Sequence, residues 1–166
     1  MQRRSILVTA LTVVALAGVI LFAYHSRSSK QPLLCQVCGR VVPKQTEFRI
    51  ETTHGNLIAC CPRCAMHYML DHSNEVRGAR ATDYASGRLI DAHSAFYDEG
   101  GDVQYCTRLA PAVERGPNDG TRLRTYDRCL PVLVAFAARP EAEQYRDEHG
   151  GRVLTYDQAL QSVGAH

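Results

Sequence analysis

No stretch of this sequence concentrates basic charge, and only Lys30 and Lys44 are lysines. Without a basic stripe or patch nothing neutralises a phosphate backbone, so nucleic acid is not expected as a partner. The chain also lacks a Ser-His-Asp set, a phosphate-cradling glycine loop and a carboxylate pair at a defined spacing. Those absences leave no group to carry hydrolytic, phosphoryl-transfer or acid–base chemistry, and an enzyme is not expected. Charge and apolar residues are not scarce. At 22% charged and 45% hydrophobic over 166 residues, the chain can pack one domain or two small ones and does not read as disordered. The formal charge of +2 owes its sign to Arg3, Arg4, Arg27 and Lys30; the remainder is slightly acidic.

Residues 5–24 carry no charge. About 20 residues of helix span a hydrocarbon core of about 30 Å, so the run fits one membrane pass. Arg3 and Arg4 precede it and hold the N-terminus in the cytoplasm. Residues 1–25 therefore read as a transmembrane anchor or signal, and 26–34 as a polar tether. A cleaved signal peptide is the alternative, with Ala15-Leu-Ala17 as its small-residue site, although apolar residues continue to Phe22. A lipidated cysteine is excluded because Leu34 precedes Cys35. Either surviving reading sends residues 31–166 out of the cytoplasm; the anchor reading anticipates a single-pass protein of the inner membrane with its C-terminal part in the periplasm or another extracytoplasmic space.

Seven cysteines follow: Cys35, Cys38, Cys60, Cys61, Cys64, Cys106 and Cys129. Disulfides are the default outside the cytoplasm, but seven is odd and five fall within thirty residues. Cys35-x2-Cys38 and Cys61-x2-Cys64 have the spacing of two metal-binding knuckles, whose four sulfurs complete a tetrahedron at about 2.3 Å from the metal. Between them, residues 46–53 and 57–60 read as a hairpin turning at His54-Gly-Asn56. Pro62 suits the first turn of a helix, where the macrodipole favours thiolates on Cys61 and Cys64. Knuckle, hairpin and helix start together describe a treble-clef-like site in a cysteine-rich unit of residues 35–80.

The expected ligands are Cys35, Cys38, Cys61 and Cys64, with Cys60, His67, Cys106 and Cys129 as possible additions. The metal is either copper, as Cu(I), which soft thiolates select, or zinc in a closed structural site. Cys60 as a spare thiol, with Met66, Met69 and His67 nearby, favours a transferable Cu(I). Three functions compete: a metal carrier, a zinc-held scaffold, and a thiol-disulfide oxidoreductase using Cys61 and Cys64. Cys106 and Cys129 read either as a disulfide or as parts of a second soft-metal site with His93 or His149.

Residues 81–166 read as a further α+β unit. Strands are expected around Gly87, at 103–106, at 130–136 and at 152–156, with a loop over 111–124. A helix starts at Arg139-Pro140 and stops at Gly150-Gly151, and a terminal helix is capped by Asp157. Several stretches resemble NosL, the accessory protein of nitrous oxide reductase. They are Cys35-Gln-Val-Cys-Gly39, Leu89-Ile-Asp-Ala-His93 with Phe96-Tyr97, Val134-Ala-Phe136, and the run from Ala142 through His149-Gly-Gly151 to Tyr156. The resemblance spans most of residues 35–160. It implies an envelope Cu(I) chaperone serving nitrous oxide reductase or another cuproenzyme, and a fold of two small ββαβ-like units. The chain departs from that family in four ways. Arg40 stands where a methionine is usual, and Tyr126-Asp-Arg-Cys-Leu-Pro131 replaces a methionine-bearing segment, with Cys129 as its soft group. A membrane segment replaces a lipidated cysteine, and the Cys60-Cys61-x2-Cys64 cluster is additional.

Overall fold

The computed structural model describes residues 32–105, 113–115, 121–123 and 127–165. The expected membrane segment lies outside the described residues, as do Cys106 and most of the tether. Among the described residues no helix is long and apolar enough to cross a membrane.

β1 (Phe48–Thr52) places Phe48 and Ile50 on one buried face, the period-2 pattern of a half-buried strand. It turns directly into β2 (Gly55–Ala59), with Phe48 opposite Ala59 and Ile50 opposite Leu57. Helix α1 (Pro62–Asp71) follows, then β3 (Val76–Thr82) returns on the other side of β1, and β4 (Leu89–Asp91) adds an edge. The antiparallel sheet runs β2-β1-β3-β4. Ala79 and Ala81 of β3 face Ile50 and Phe48, so small residues make room for large ones.

β5 (Phe96–Glu99) starts a second sheet in the order β8-β5-β9, with β8 (Leu133–Phe136), α2 (Arg139–His149) and β9 (Arg152–Thr155). Here, as in the first sheet, the first strand lies between its antiparallel partner, which is followed by a helix, and the strand that leaves that helix; in the first sheet β4 adds a further edge. Both sheets are therefore ββαβ units, and the overall class is α+β. α3 (Tyr156–Gly164) ends the described chain and packs on α1. Side chains on β8 alternate between two cores. Leu133 and Ala135 join the cysteines, Phe48, Met66, Tyr97 and Val163, whereas Val132, Val134 and Phe136 pack with Ala142 and Tyr145 of α2.

Four expectations are corrected. Residues 111–124 are not all loop, since β6 (Val113–Arg115) pairs antiparallel with β7 (Thr121–Leu123). Residues 103–105 form no strand; Val103 and Tyr105 pack on the second core instead. β3 begins at Val76 and so crosses the boundary expected between residues 80 and 81. Thr155, not Asp157, caps α3, because its hydroxyl accepts from the Gln158 amide while the Gln158 side chain returns to the Thr155 N–H.

Asp98 lies on the α2 side of β5, fully buried, with neither carboxylate oxygen hydrogen-bonded. Gly151 (φ 106°) makes space for it, since a Cβ there would sit 2.6 Å from Asp98 Oδ2. Burial pushes the Asp98 carboxyl from 3.8 up to about 6, with Arg146 opposing the shift and Glu99 adding to it. The folded state therefore holds more protons than the unfolded chain across that window, and stability falls as pH climbs through it. Asp98→Asn, with no charge to bury, is expected to unfold at a higher temperature than the parent at about pH 7.5, the gap closing by about pH 4. A gap of equal size at both pH values would rule out this electrostatic origin.

Candidate metal centre

The first knuckle is a tight turn between Leu34 and Val41, which pair as an isolated antiparallel bridge. Cys35 O accepts from Gly39 N at 2.8 Å, and the Cys38 amide points at Cys35 Sγ, 3.4 Å away. Gly39 has φ 74°, a left-handed conformation that glycine adopts without a Cβ penalty. The second knuckle opens α1. Cys61 is the N-cap, extended at φ −159°, and its sulfur accepts from the Cys64 amide at 3.5 Å, with Pro62 in the first turn.

Two sulfur pairs cross between the knuckles, Cys35 to Cys64 at 3.8 Å and Cys38 to Cys60 at 3.5 Å. The sulfurs of Cys35, Cys38, Cys60 and Cys64 all lie within 4.8 Å of one another. A tetrahedron of sulfurs about 2.3 Å from a metal has edges of about 3.8 Å, so the set fits a four-thiolate ion. The expected fourth member was Cys61, and the structure places Cys60 there instead. Cys60 follows β2 at a bend and turns its sulfur to the first knuckle, 3.5 Å from Cys38 Sγ, while Cys61 caps the helix start. Cys60 O is fixed by the Thr46 hydroxyl at 2.7 Å.

Cys61 stands in a second group with Cys60 and Cys129, again within 4.8 Å. Cys60 Sγ is 3.9 Å from Cys61 Sγ and 3.8 Å from Cys129 Sγ, well beyond a disulfide bond of about 2.0 Å. His67, one turn after Cys64, is half-buried and belongs to neither group; burial, then Arg63 and Arg128, lower its pKa. His93 and His149 are also in neither group: the His93 ring packs tilted against Tyr156, and His149 reaches Asp102 at 3.1 Å.

The thiols polarise one another. Hydrogen bonds from Cys38, then Cys60 and Cys64, drive the Cys35 thiol far below its usual value despite burial. Cys38 is pushed up to about 11 by Cys129 and Cys35, and Cys64 is raised strongly by the same two. The cluster thus favours charge on a sulfur that its neighbours' S–H groups can solvate and disfavours a second charge beside it. Cys38 and Cys64 ionise when a cation supplies the compensating charge and expels their protons. Cys38 is the partly exposed cysteine of the two groups; Cys35, Cys60, Cys61, Cys64 and Cys129 are at most 3% exposed.

Two ion pairs hold the loops, and neither is marked by any motif. Arg40 Nη2 donates to both Asp127 oxygens at 2.8 and 2.9 Å, and Asp127 Oδ1 accepts the Cys129 amide at 3.0 Å. The residue that departs from the NosL pattern thereby ties the first knuckle to the Cys129 loop. Arg63, inside the second knuckle and fully buried, donates from Nη1 to Glu99 Oε1 at 3.0 Å.

No family model matches the chain. Among curated proteins, the HTH-type transcriptional repressor CutR of Bacillus subtilis (strain 168) is 23% identical over 139 residues, 82% of this chain. The chain spans 62% of that relative's length. Among solved structures, the copper chaperone NosL from Shewanella denitrificans aligns with a TM-score of 0.54 and 15% identity, over 76% of this chain and 88% of that one. Identity that low establishes the fold alone: the chain has a NosL-like fold, and its cysteine cluster is suited to binding a metal ion.

Proposed function

We propose that this chain is a membrane-anchored, extracytoplasmic Cu(I) chaperone that passes copper to nitrous oxide reductase or another cuproenzyme, and that it is not an enzyme. The observation that carries the reading is the convergence of Cys35, Cys38, Cys60 and Cys64, with the Cys61 and Cys129 thiols beside them. A closed structural zinc site needs only four ligands, whereas a carrier of a soft ion gains from further thiols that replace ligands one at a time. Cys38, the partly exposed cysteine of the cluster, is where an acceptor's ligand would first attack. The uncharged run over residues 5–24 supports the anchor.

The zinc-scaffold reading is favoured by one specific observation, two sulfur separations of 3.8 and 3.5 Å, near the edge length of a four-thiolate tetrahedron. The oxidoreductase reading is disfavoured, because Cys61 and Cys64 are 3% and 0% exposed and thiol–disulfide exchange needs access. Metal analysis of the purified full chain, competition against a chromophoric Cu(I) chelator and transfer to a copper-free acceptor form the test. Retained and transferable Cu(I) is the expected result; stoichiometric zinc that neither exchanges nor transfers overturns it.

A further inference from the structure

We propose that the cluster holds two adjacent Cu(I) ions with Cys60 as the bridging ligand, an inference that rests on the copper reading above. Four sulfurs fill one tetrahedral site, and a single ion would leave Cys61 and Cys129 beyond its shell. Those two are not scattered. They form the second sulfur triangle, which shares Cys60 alone with the first group. Cys60 Sγ sits between three neighbours, 3.5 Å from Cys38, 3.9 Å from Cys61 and 3.8 Å from Cys129. A thiolate that binds one metal keeps lone pairs for another, so a central sulfur is the natural bridge. Three sulfurs about 2.3 Å from an ion at their centre lie about 4.0 Å apart, close to the spacings around Cys60.

The second group selects the ion. It offers three thiolates. Zinc takes four ligands in such sites, while Cu(I) is the ion that soft thiolates select and is content with three. The two places also differ in access. The partly exposed Cys38 belongs to the first group, whereas Cys60, Cys61 and Cys129 are 0%, 3% and 2% exposed. The first ion leaves through Cys38, and the second follows only after Cys60 is released from it. Each cysteine that still carries its proton gives it up to solvent on forming its first S–Cu bond, and Cys60 forms its second from a remaining lone pair with no further proton lost; no electron moves.

The test uses the full chain, reduced and kept anaerobic, titrated with Cu(I) and measured by X-ray absorption. Expected are two copper ions per chain and a copper–copper scattering path. Cys129→Ser is expected to hold one ion and lose that path; Cys60→Ser is expected to lose the path as well. Should Cys60→Ser fail to fold, Cys129→Ser decides. One ion per parent chain overturns the bridged pair and leaves the carrier reading intact. Two ions without copper–copper scattering overturn the bridge. Failure to retain any Cu(I) against the chelator overturns both this inference and the carrier reading.

Discussion

Cys64→Ser is expected to weaken binding of the first metal ion roughly 100-fold or more, whereas Cys61→Ser leaves it within about tenfold. Four-thiolate sites bind zinc with about 10–16 kcal/mol, so one ligand in four carries about 3 kcal/mol, and each tenfold is about 1.4 kcal/mol. Cys64 Sγ is fully buried 3.8 Å from Cys35 Sγ, and no solvent replaces it as a ligand. Cys61 points to the start of α1 and acts as its N-cap. Serine is among the preferred N-caps, so its hydroxyl accepts the Cys64 amide in the sulfur's place and the helix start survives. Chelator competition with matched variants reads the difference directly. Equal losses at 61 and 64 would mean that the sequence-expected set is the working one and that Cys60 is the spare thiol.

That contrast marks where the sequence stops being informative. The two knuckles, the hairpin between them and the helix start at Pro62 are local features, set by spacing and by residues with fixed backbone preferences. The choice between Cys60 and Cys61 is also local, but it turns on one extended residue, and adjacent cysteines satisfy either spacing nearly as well. Cys129 is harder, because it meets Cys60 across 69 positions through the loop that precedes β8. β3 is poorly marked for a different reason. Its outward residues are Arg77 and Arg80, it contains Gly78, and its buried contribution is largely Ala79 and Ala81, so no strong alternation shows. The duplicated ββαβ order came from the NosL resemblance, since the two units bury unrelated side chains, cysteines and methionines under one helix and aromatics under the other. Nothing in the pattern announced Arg40–Asp127 or Arg63–Glu99, because ion pairs between distant segments leave no periodicity.

The second of those pairs carries the largest expected stability effect. Glu99→Gln is expected to cost about 3–5 kcal/mol, the usual penalty for removing one partner of a buried pair. Burial alone would raise the Glu99 carboxyl, but the Ser162 hydroxyl, Arg152 and Arg63 together hold it below the usual range, so it is an anion in the fold. Ser162 Oγ donates to Oε1 at 2.6 Å and Arg152 Nε to Oε2 at 2.8 Å. Glutamine keeps the shape and removes the charge, leaving the Arg63 guanidinium at 0% exposure with no anion. Arg63 Nε and Nη2 already lack hydrogen-bond partners, so the loss is not shared out. Because the folded carboxyl is depressed, the parent's stabilisation is present above the ordinary value of 4.5 and is lost as pH falls below it, the opposite sign to Asp98. Denaturant unfolding of the metal-loaded chain measures the cost, and a loss under about 1 kcal/mol would remove the argument. Replacing both partners, Arg63→Met with Glu99→Leu, is expected to recover most of it, since a well-packed apolar pair avoids the desolvation penalty. Arg63 sits between Cys61 and Cys64, so Glu99→Gln is also expected to weaken metal binding while the double variant restores it. That outcome would tie the set of the second knuckle to the central strand of the other ββαβ unit.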